Sequence, residues 1–333
     1  MKKALSIICS IILSLVFFVV GVLFAVRIVD GVAFFPFYLK ANPVYMAIGV
    51  TENYVSQGYD YDADKDVFLA TGYMSDDTAS RVYVIEENGD RYYTSLKKAN
   101  GDDYTGHTGG ITHYGDYVYI TGSVGLDVFS YSEILDKNVD SARCLGTVLT
   151  YNNPAHCYVA NGYILAGSFF IESDYETADY ERVTTPAGDQ NTSIITAFKL
   201  DDSKEFCVDP APKAVISTTR CVQGMCVTDD GKVILSTSYG LSVSKLYVYD
   251  TTNLVGEDYD FVGTAKSGAF AFNGIKRYYL DSSNLVDTIS APPMAEELVY
   301  LDGKIYIMNE SACNKYIFGK FTSGYKIYAY PYV

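Results

Sequence analysis

The chain predicts an all-β ring of five similar sheets, closed by an N-terminal strand and preceded by one transmembrane helix. Three observations carry that expectation. First, a short grammar returns five times: a polar or glycine pair opens an apolar run, a turn follows at Asp, Asn or Gly, and a second, more hydrophobic run comes next. The copies begin at Gln57-Gly58-Tyr59, Gly109-Gly110-Ile111, Ala155-His156-Cys157, Gln223-Gly224-Met225 and Glu296-Glu297-Leu298. Strand-sized units repeated at tens of residues are the mark of a propeller or a similar array. Second, 32 tyrosines and no tryptophan supply most of the 15% aromatic content. Tyrosine and β-branched residues suit pleated, half-buried surfaces. Third, Ala4–Val26 holds 23 consecutive uncharged residues behind Lys2-Lys3. As a helix that run is roughly 35 Å long, enough for a hydrocarbon core of about 30 Å.

The apolar run is longer than the core of a cleavable signal, and Phe24-Ala25-Val26-Arg27 is a poor cleavage site. An uncleaved signal anchor over residues 1–27 is therefore expected, with a cleaved signal as the alternative. Lys2 and Lys3 place the N-terminus in the cytoplasm and the body of the chain outside, at the cell membrane. Residues 28–43, with Phe34-Phe35-Pro36-Phe37-Tyr38, read as a membrane-proximal stalk. Residues 44–333 form the repeat domain.

Each repeat divides into strands A to D. Unit one has A at Tyr59–Tyr61, B at Val67–Thr71, C at Arg81–Ile85 and D at Arg91–Leu96, with an Asn88-Gly89 hairpin before D. Unit two turns at Gly115-Asp116, unit three at Asn161-Gly162, unit four at Asp230-Gly231 and unit five at Asp302-Gly303. Unit five ends after its C strand, Lys326–Tyr330, and lacks an outer strand. The stretch Val44–Thr51 is spare. Pairing the two closes the ring and removes an exposed edge, giving a five-bladed β-propeller. A linear solenoid is the rival fold. A six-bladed ring is the other, if Thr251–Ser290 hides a further blade.

In such a ring the residues that open the A strands gather at one mouth. These are Gln57, Gly109, Ala155, Gln223 and Glu296, with His107, His156 and Glu297 beside them. Two B–C loops are long: acidic Ile171–Thr192, and Asn309–Ser323 with Glu310, Ser311, Lys315 and Tyr316. Long loops on a rigid ring commonly carry binding. The expected ligand site is Gln57, His107, His156, Gln223, Glu296, Glu310 and Lys315, taking a glycan, a peptide or a partner protein. The alternative is a surface hydrolase acting on carbohydrate, with Glu296, Glu297 and Glu310 as paired carboxylates. The bland alternative is a structural, water-filled channel.

Other signals are weaker. Asp60-x-Asp62-x-Asp64-x-Asp66 resembles the opening of a calcium loop, but Lys65 stands at the glycine position and Thr71 where the closing Glu belongs. Calcium is a candidate on that ground; otherwise no cofactor and no metal are expected. Asn191-Thr-Ser and Asn309-Glu-Ser match glycan acceptors, which matter only in a eukaryotic secretory setting. Six cysteines follow the anchor without metal-type spacing, and Cys157, Cys221 and Cys226 read as buried free thiols. The net charge is −15, which opposes binding to phosphate backbones, so no nucleic-acid partner is expected.

Gly106-His107-Thr108-Gly109-Gly110-Ile111, Val222-Gln223-Gly224-Met225, Ser244-Lys245-Leu246-Tyr247-Val248-Tyr249 and Pro292-Pro293-Met294-Ala295-Glu296-Glu297 together resemble exported bacterial β-propeller proteins of the broad NHL/YVTN-like class. The resemblance spans residues about 50–331. It implies the fold. The class hosts binding modules, scaffolds and some hydrolases or lyases, so it implies no single activity.

Overall fold

In a computed structural model, which describes residues 2–332, the repeats form five antiparallel sheets around a central axis. Their innermost strands are Tyr54–Asp62, Ile111–Tyr114, Pro154–Ala160, Val222–Val227 and Ala295–Leu301. Each touches the next, and the fifth touches the first, so the ring is closed. Local chemistry sets the A–B turns. Asn161 and Gly162 have φ of 52° and 78°, and Asp302 and Gly303 have 50° and 71°. Two adjacent positive φ values make the two-residue turn that matches strand twist, and Asn, Asp and Gly adopt them most readily.

Blade five consists of Ala295–Leu301, Lys304–Asn309, Lys326–Pro331 and the N-terminal strand Asn42–Met46. Asn42 lies opposite Ala329 and Met46 opposite Lys326. The closing strand thus starts two residues earlier than Val44–Thr51 suggests and ends at Met46. Residues 48–51 are taken up by a turn that leads into blade one.

The stretch Thr251–Ser290 does not add a sixth blade. Leu285–Ala291 is the outer strand of blade four. The hairpin of Glu257–Ala265 and Gly268–Tyr279 turns back and pairs in parallel with Val208–Thr218, making blade three six-stranded. Ser141–Arg143, from the connection inside blade two, extends blade one in the same way. Both additions cover an outer edge that would otherwise expose unpaired backbone groups.

The helix runs from Lys2 to Ala33 and includes the expected anchor; it is long and apolar enough to cross a membrane. A second, short helix, Phe35–Lys40, follows it. The segment expected as a stalk packs on blade five. Phe37 is buried, stacks on Tyr330 at 5.5 Å and meets Tyr328 edge-on at 5.6 Å. Aromatic pairs of this kind contribute about 0.5–1.5 kcal/mol each beyond area burial.

Candidate functional site: the mouth of the ring

The repeated opening pair has a structural cause. Register slips in the inner strand between Ser56 and Gly58, Pro154 and His156, Val222 and Gly224, and Ala295 and Leu298. Each slip is a β-bulge at the first residue or residues of the pair, and a bulge re-aims side chains at a strand end. Gln57, Ala155 and Gln223 are the extra residues, and all three line one cleft. The second position of the pair packs against the neighbouring blade. A Cβ on Gly58 would stand 2.6 Å from the Ile111 nitrogen, one on Gly110 2.6 Å from the Cys157 nitrogen, and one on Gly224 2.4 Å from the Glu297 Cα. Glycine at these three positions lets the blades approach at the axis.

The cleft has a volume of about 1060 Å³ and draws on all five blades and their connections. Gln57, His107, Gln223 and Glu310 supply polar groups; Tyr104, Phe169, Tyr175, Tyr239 and Tyr316 supply ring faces; Lys98, Lys266, Asp127 and Asp174 add charge. The Gln57 amide donates to Glu310 Oε2 at 2.7 Å, across 253 residues of sequence. Burial raises the Glu310 pKa to about 7, tempered by the Gln57 hydrogen bond and the Lys315 charge. His107 is solvent-accessible and stacks on Tyr73 at 4.9 Å. Partial enclosure of its ring by the cleft wall, with the Lys315 ammonium nearby, lowers its pKa. Lys315 donates to the Tyr73 hydroxyl at 2.6 Å and lies 4.7 Å over its ring.

Glu296 and Glu297 lie beneath this surface. Glu296 is buried and accepts from the Gln223 amide at 3.3 Å. Glu297 is fully buried and accepts from the backbone N–H of Met225 at 2.7 Å, so blade five is tied to blade four at the axis. Burial drives both pKa values well above the usual range, and mutual repulsion with Glu310 adds to this for Glu296. Of the three carboxylates read from the sequence as an acid/base set, only Glu310 reaches the cleft wall.

His156 points away from the cleft. It is fully buried over its own blade, and neither ring nitrogen has a hydrogen-bond partner among the described residues. Burial holds its pKa down to about 3. It fits because residue 167 is glycine; a Cβ there would lie 2.0 Å from His156 Nε2. Gly167→Ala is therefore expected to cost about 2 kcal/mol or more in denaturant unfolding. In a double-mutant cycle His156→Ala recovers much of that loss, because the clash then has no partner.

The aspartate series sits at the opposite end of the channel. Asp60 Oδ2 is 2.7 Å from His113 Nδ1, and Asp62 accepts from the Tyr131 hydroxyl and from the backbone N–H of Asp64 at 2.8 Å. Burial opposes charge on His113, but the Asp60 hydrogen bond and the Asp60 and Asp62 charges outweigh it and raise its pKa. Asp66 accepts from Tyr61 at 2.7 Å. Asp60, Asp62 and Asp66 are engaged by His113, Tyr131 and Tyr61, with His113 standing between the first two, rather than converging as a calcium cage. Among the described residues no group of three or more His, Cys, Asp and Glu is placed to hold a metal ion. The seven cysteines are unpaired, and Cys157, Cys221 and Cys226 are buried. Asn191 and Asn309 are buried too.

Sequence reasoning missed the aromatic wall and the third histidine. A signal for the wall existed: Phe169 directly follows the B strand Tyr163–Ser168, and Tyr239 comes two residues after the end of Val233–Thr237, both at the mouth end. The acidic loop of unit three brings Asp174 and Tyr175 to the cleft. Two of its other acids are engaged within or beside the loop: Glu181 is buried and accepts from Ser168 at 2.5 Å, and Glu176 pairs with Arg182.

No protein-family model and no curated protein matches the chain. Solved structures of bacterial β-propeller proteins do. The PQQ-bound aldose sugar dehydrogenase of Streptomyces coelicolor is 14% identical, with a TM-score of 0.42, over 81% of this chain and 78% of that one. Regucalcin, a calcium-binding protein of Agrobacterium tumefaciens, is 8% identical, with a TM-score of 0.43, over 86% and 92%. A gluconolactonase of Xanthomonas campestris is 12% identical, with a TM-score of 0.37, over 87% and 95%. Likeness at this level says nothing about chemistry.

Proposed function

We propose that the chain is a membrane-anchored, outward-facing β-propeller at the cell membrane that binds a polar ligand, a glycan or a peptide, in the mouth cleft. One observation supports this above the rest. All five blades send side chains to a single cleft of about 1060 Å³, where ring faces stand beside amide, imidazole and carboxyl groups. Ligand sites commonly combine apolar and aromatic walls with a few placed polar groups. Lys2-Lys3 ahead of the apolar helix supports the outward orientation. A protein partner would meet the same face, and the net charge of −15 disfavours nucleic acid. The reading requires no cofactor.

Hydrolysis by a pair among Glu296, Glu297 and Glu310 is less well supported, because two of the three carboxyls are sealed beneath the cleft. Binding is tested by thermal unfolding of the full chain against neutral and charged oligosaccharides, short peptides and calcium. A ligand at 100 times its Kd stabilises by about 2.7 kcal/mol. At least one oligosaccharide or peptide is expected to raise Tm, and Glu310→Ala is expected to abolish the rise. A rise unchanged in both Glu310→Ala and Gln57→Ala, or no rise with any oligosaccharide or peptide, contradicts the reading.

A further inference from the structure

The helix meets the propeller at its mouth. Arg27 donates to the Tyr325 hydroxyl at 3.2 Å, and Asp30 accepts from the backbone N–H of Ser323 at 3.3 Å. Tyr325 and Ser323 precede the strand Lys326–Pro331, at the end where Met46 pairs with Lys326. Further along the chain, Phe37 and Lys40 contact Tyr330, deeper on the blade. The chain therefore descends past the mouth rim, and the uncharged run ending at Val26 projects beyond it. No spacer separates that run from the rim contact at Arg27. The hydrocarbon boundary then lies within a few ångströms of the rim, inside a headgroup layer several ångströms thick.

The mouth loops of blades one and three expose acids, among them Asp76, Asp77, Glu172, Asp174 and Glu176, whereas those of blades four and five, on the side where the helix docks, carry apolar tips. B–C loops at the mouth expose Leu241 at 61%, Val243 at 46%, Ile317 at 47% and Phe318 at 56%. The A–B turns on the far face expose Asp64, Asp116, Asn161, Asp229 and Asp302. We propose that the mouth face rests on the bilayer that the helix crosses, with Leu241, Val243, Ile317 and Phe318 entering the interface. Apolar tips held beside the anchor gain burial there. The cleft is then reached along the membrane surface, and its ligand is one held near the headgroups. The inference rests on the anchored reading above, but not on the identity of any ligand.

The absence of tryptophan from the chain provides the probe. Full-length Phe318→Trp, Leu241→Trp and Tyr163→Trp are reconstituted in phosphatidylcholine vesicles with and without acyl-chain bromine. Tyr163 follows the Asn161-Gly162 turn and reports on the far face. The two loop tryptophans are expected to emit at shorter wavelength and to be quenched by brominated lipid more than by aqueous iodide, and Tyr163→Trp the reverse. Each variant is checked for a cooperative melt, and either loop position suffices. Protein that floats with the vesicles while both loop tryptophans behave like Tyr163→Trp overturns this proposal alone. Protein that fails to float overturns the anchored reading and this proposal with it.

Discussion

Gly224→Val is expected to destabilise the ring by roughly 3 kcal/mol or more, enough to abolish a cooperative native state in a marginally stable domain. The added Cβ would stand 2.4 Å from the Glu297 Cα and 2.8 Å from the Glu296 carbonyl oxygen. Those are backbone atoms of the next blade's inner strand, so no side-chain rotation relieves the contact. Relief requires blades four and five to separate at the axis, which breaks the Glu297 to Met225 hydrogen bond. A buried carboxyl would then lose its partner, at a further cost of about 1–3 kcal/mol. The matched control is Gly115→Asn, at a turn where φ is +57° and a Cβ meets nothing within 4 Å. Asn tolerates that conformation, so the control is expected to stay within about 0.5–1 kcal/mol of the parent in urea unfolding. Equal melting of the two variants would contradict the close approach at the axis.

The second large effect is on pH dependence. Glu310 has a folded pKa of about 7, above the ordinary 4.5. Between those values the native state binds more protons at this site than the unfolded chain does. Its contribution to stability is therefore full below pH 4.5 and declines as pH rises towards 7. Discounted for partial exposure, the loss is on the order of 2 kcal/mol. Glu181, also raised to about 7 by burial, acts with the same sign. His156, fully buried, acts oppositely, because its lowered pKa removes stability as pH falls below 6.5. The parent is accordingly expected to be most stable in mildly acidic solution. Glu310→Gln, measured by denaturant unfolding at pH 5 and pH 8, is expected to be the more stable chain at pH 8 and to have no advantage at pH 5. An identical pH profile for both chains would show that Glu310 is ordinarily ionised at the mouth.

The fold was legible where local chemistry and pattern agree. Asn161-Gly162 and Asp302-Gly303 mark turns whose positive φ values few other residue pairs accept, and they place the flanking strands on either side. The closing strand was legible from the missing outer strand of blade five, though its register was not: Asn42–Met46 is chosen by packing of Phe37 on Tyr328 and Tyr330. The hairpin of Glu257–Ala265 and Gly268–Tyr279 reads locally like half a blade. Only the free outer edge at Ala214–Ser217, far away in sequence, decides that it pairs there in parallel.

The mouth was legible as a set of positions and not as a set of directions. Where a bulge interrupts the inner strand it decides which residues of the opening pair face the cleft, and side chains otherwise alternate with period two. Ala155 thus reaches the cleft, while its neighbour His156 is buried above Gly167. Glu296 and Glu297 share an opening pair with Gln57-Gly58, yet both turn inward, where the Gln223 amide and the Met225 backbone N–H receive them. Hydrogen-bond donors on another blade decided that outcome, and those are invisible along a single strand.

The ring that assembles this mouth is tested most directly by cross-linking its two chain ends. Met46→Cys and Lys326→Cys, introduced together, place two thiols at facing positions of the closing strand pair. Mild oxidation is expected to form an intramolecular disulfide, seen by mass spectrometry as one peptide pair joining residues 46 and 326. Met46→Cys with Lys232→Cys, on another blade, is expected to give none. Failure of the facing pair to cross-link in folded protein, or equal cross-linking of both pairs, would contradict closure and remove the contact between Gln57 and Glu310 on which the cleft depends.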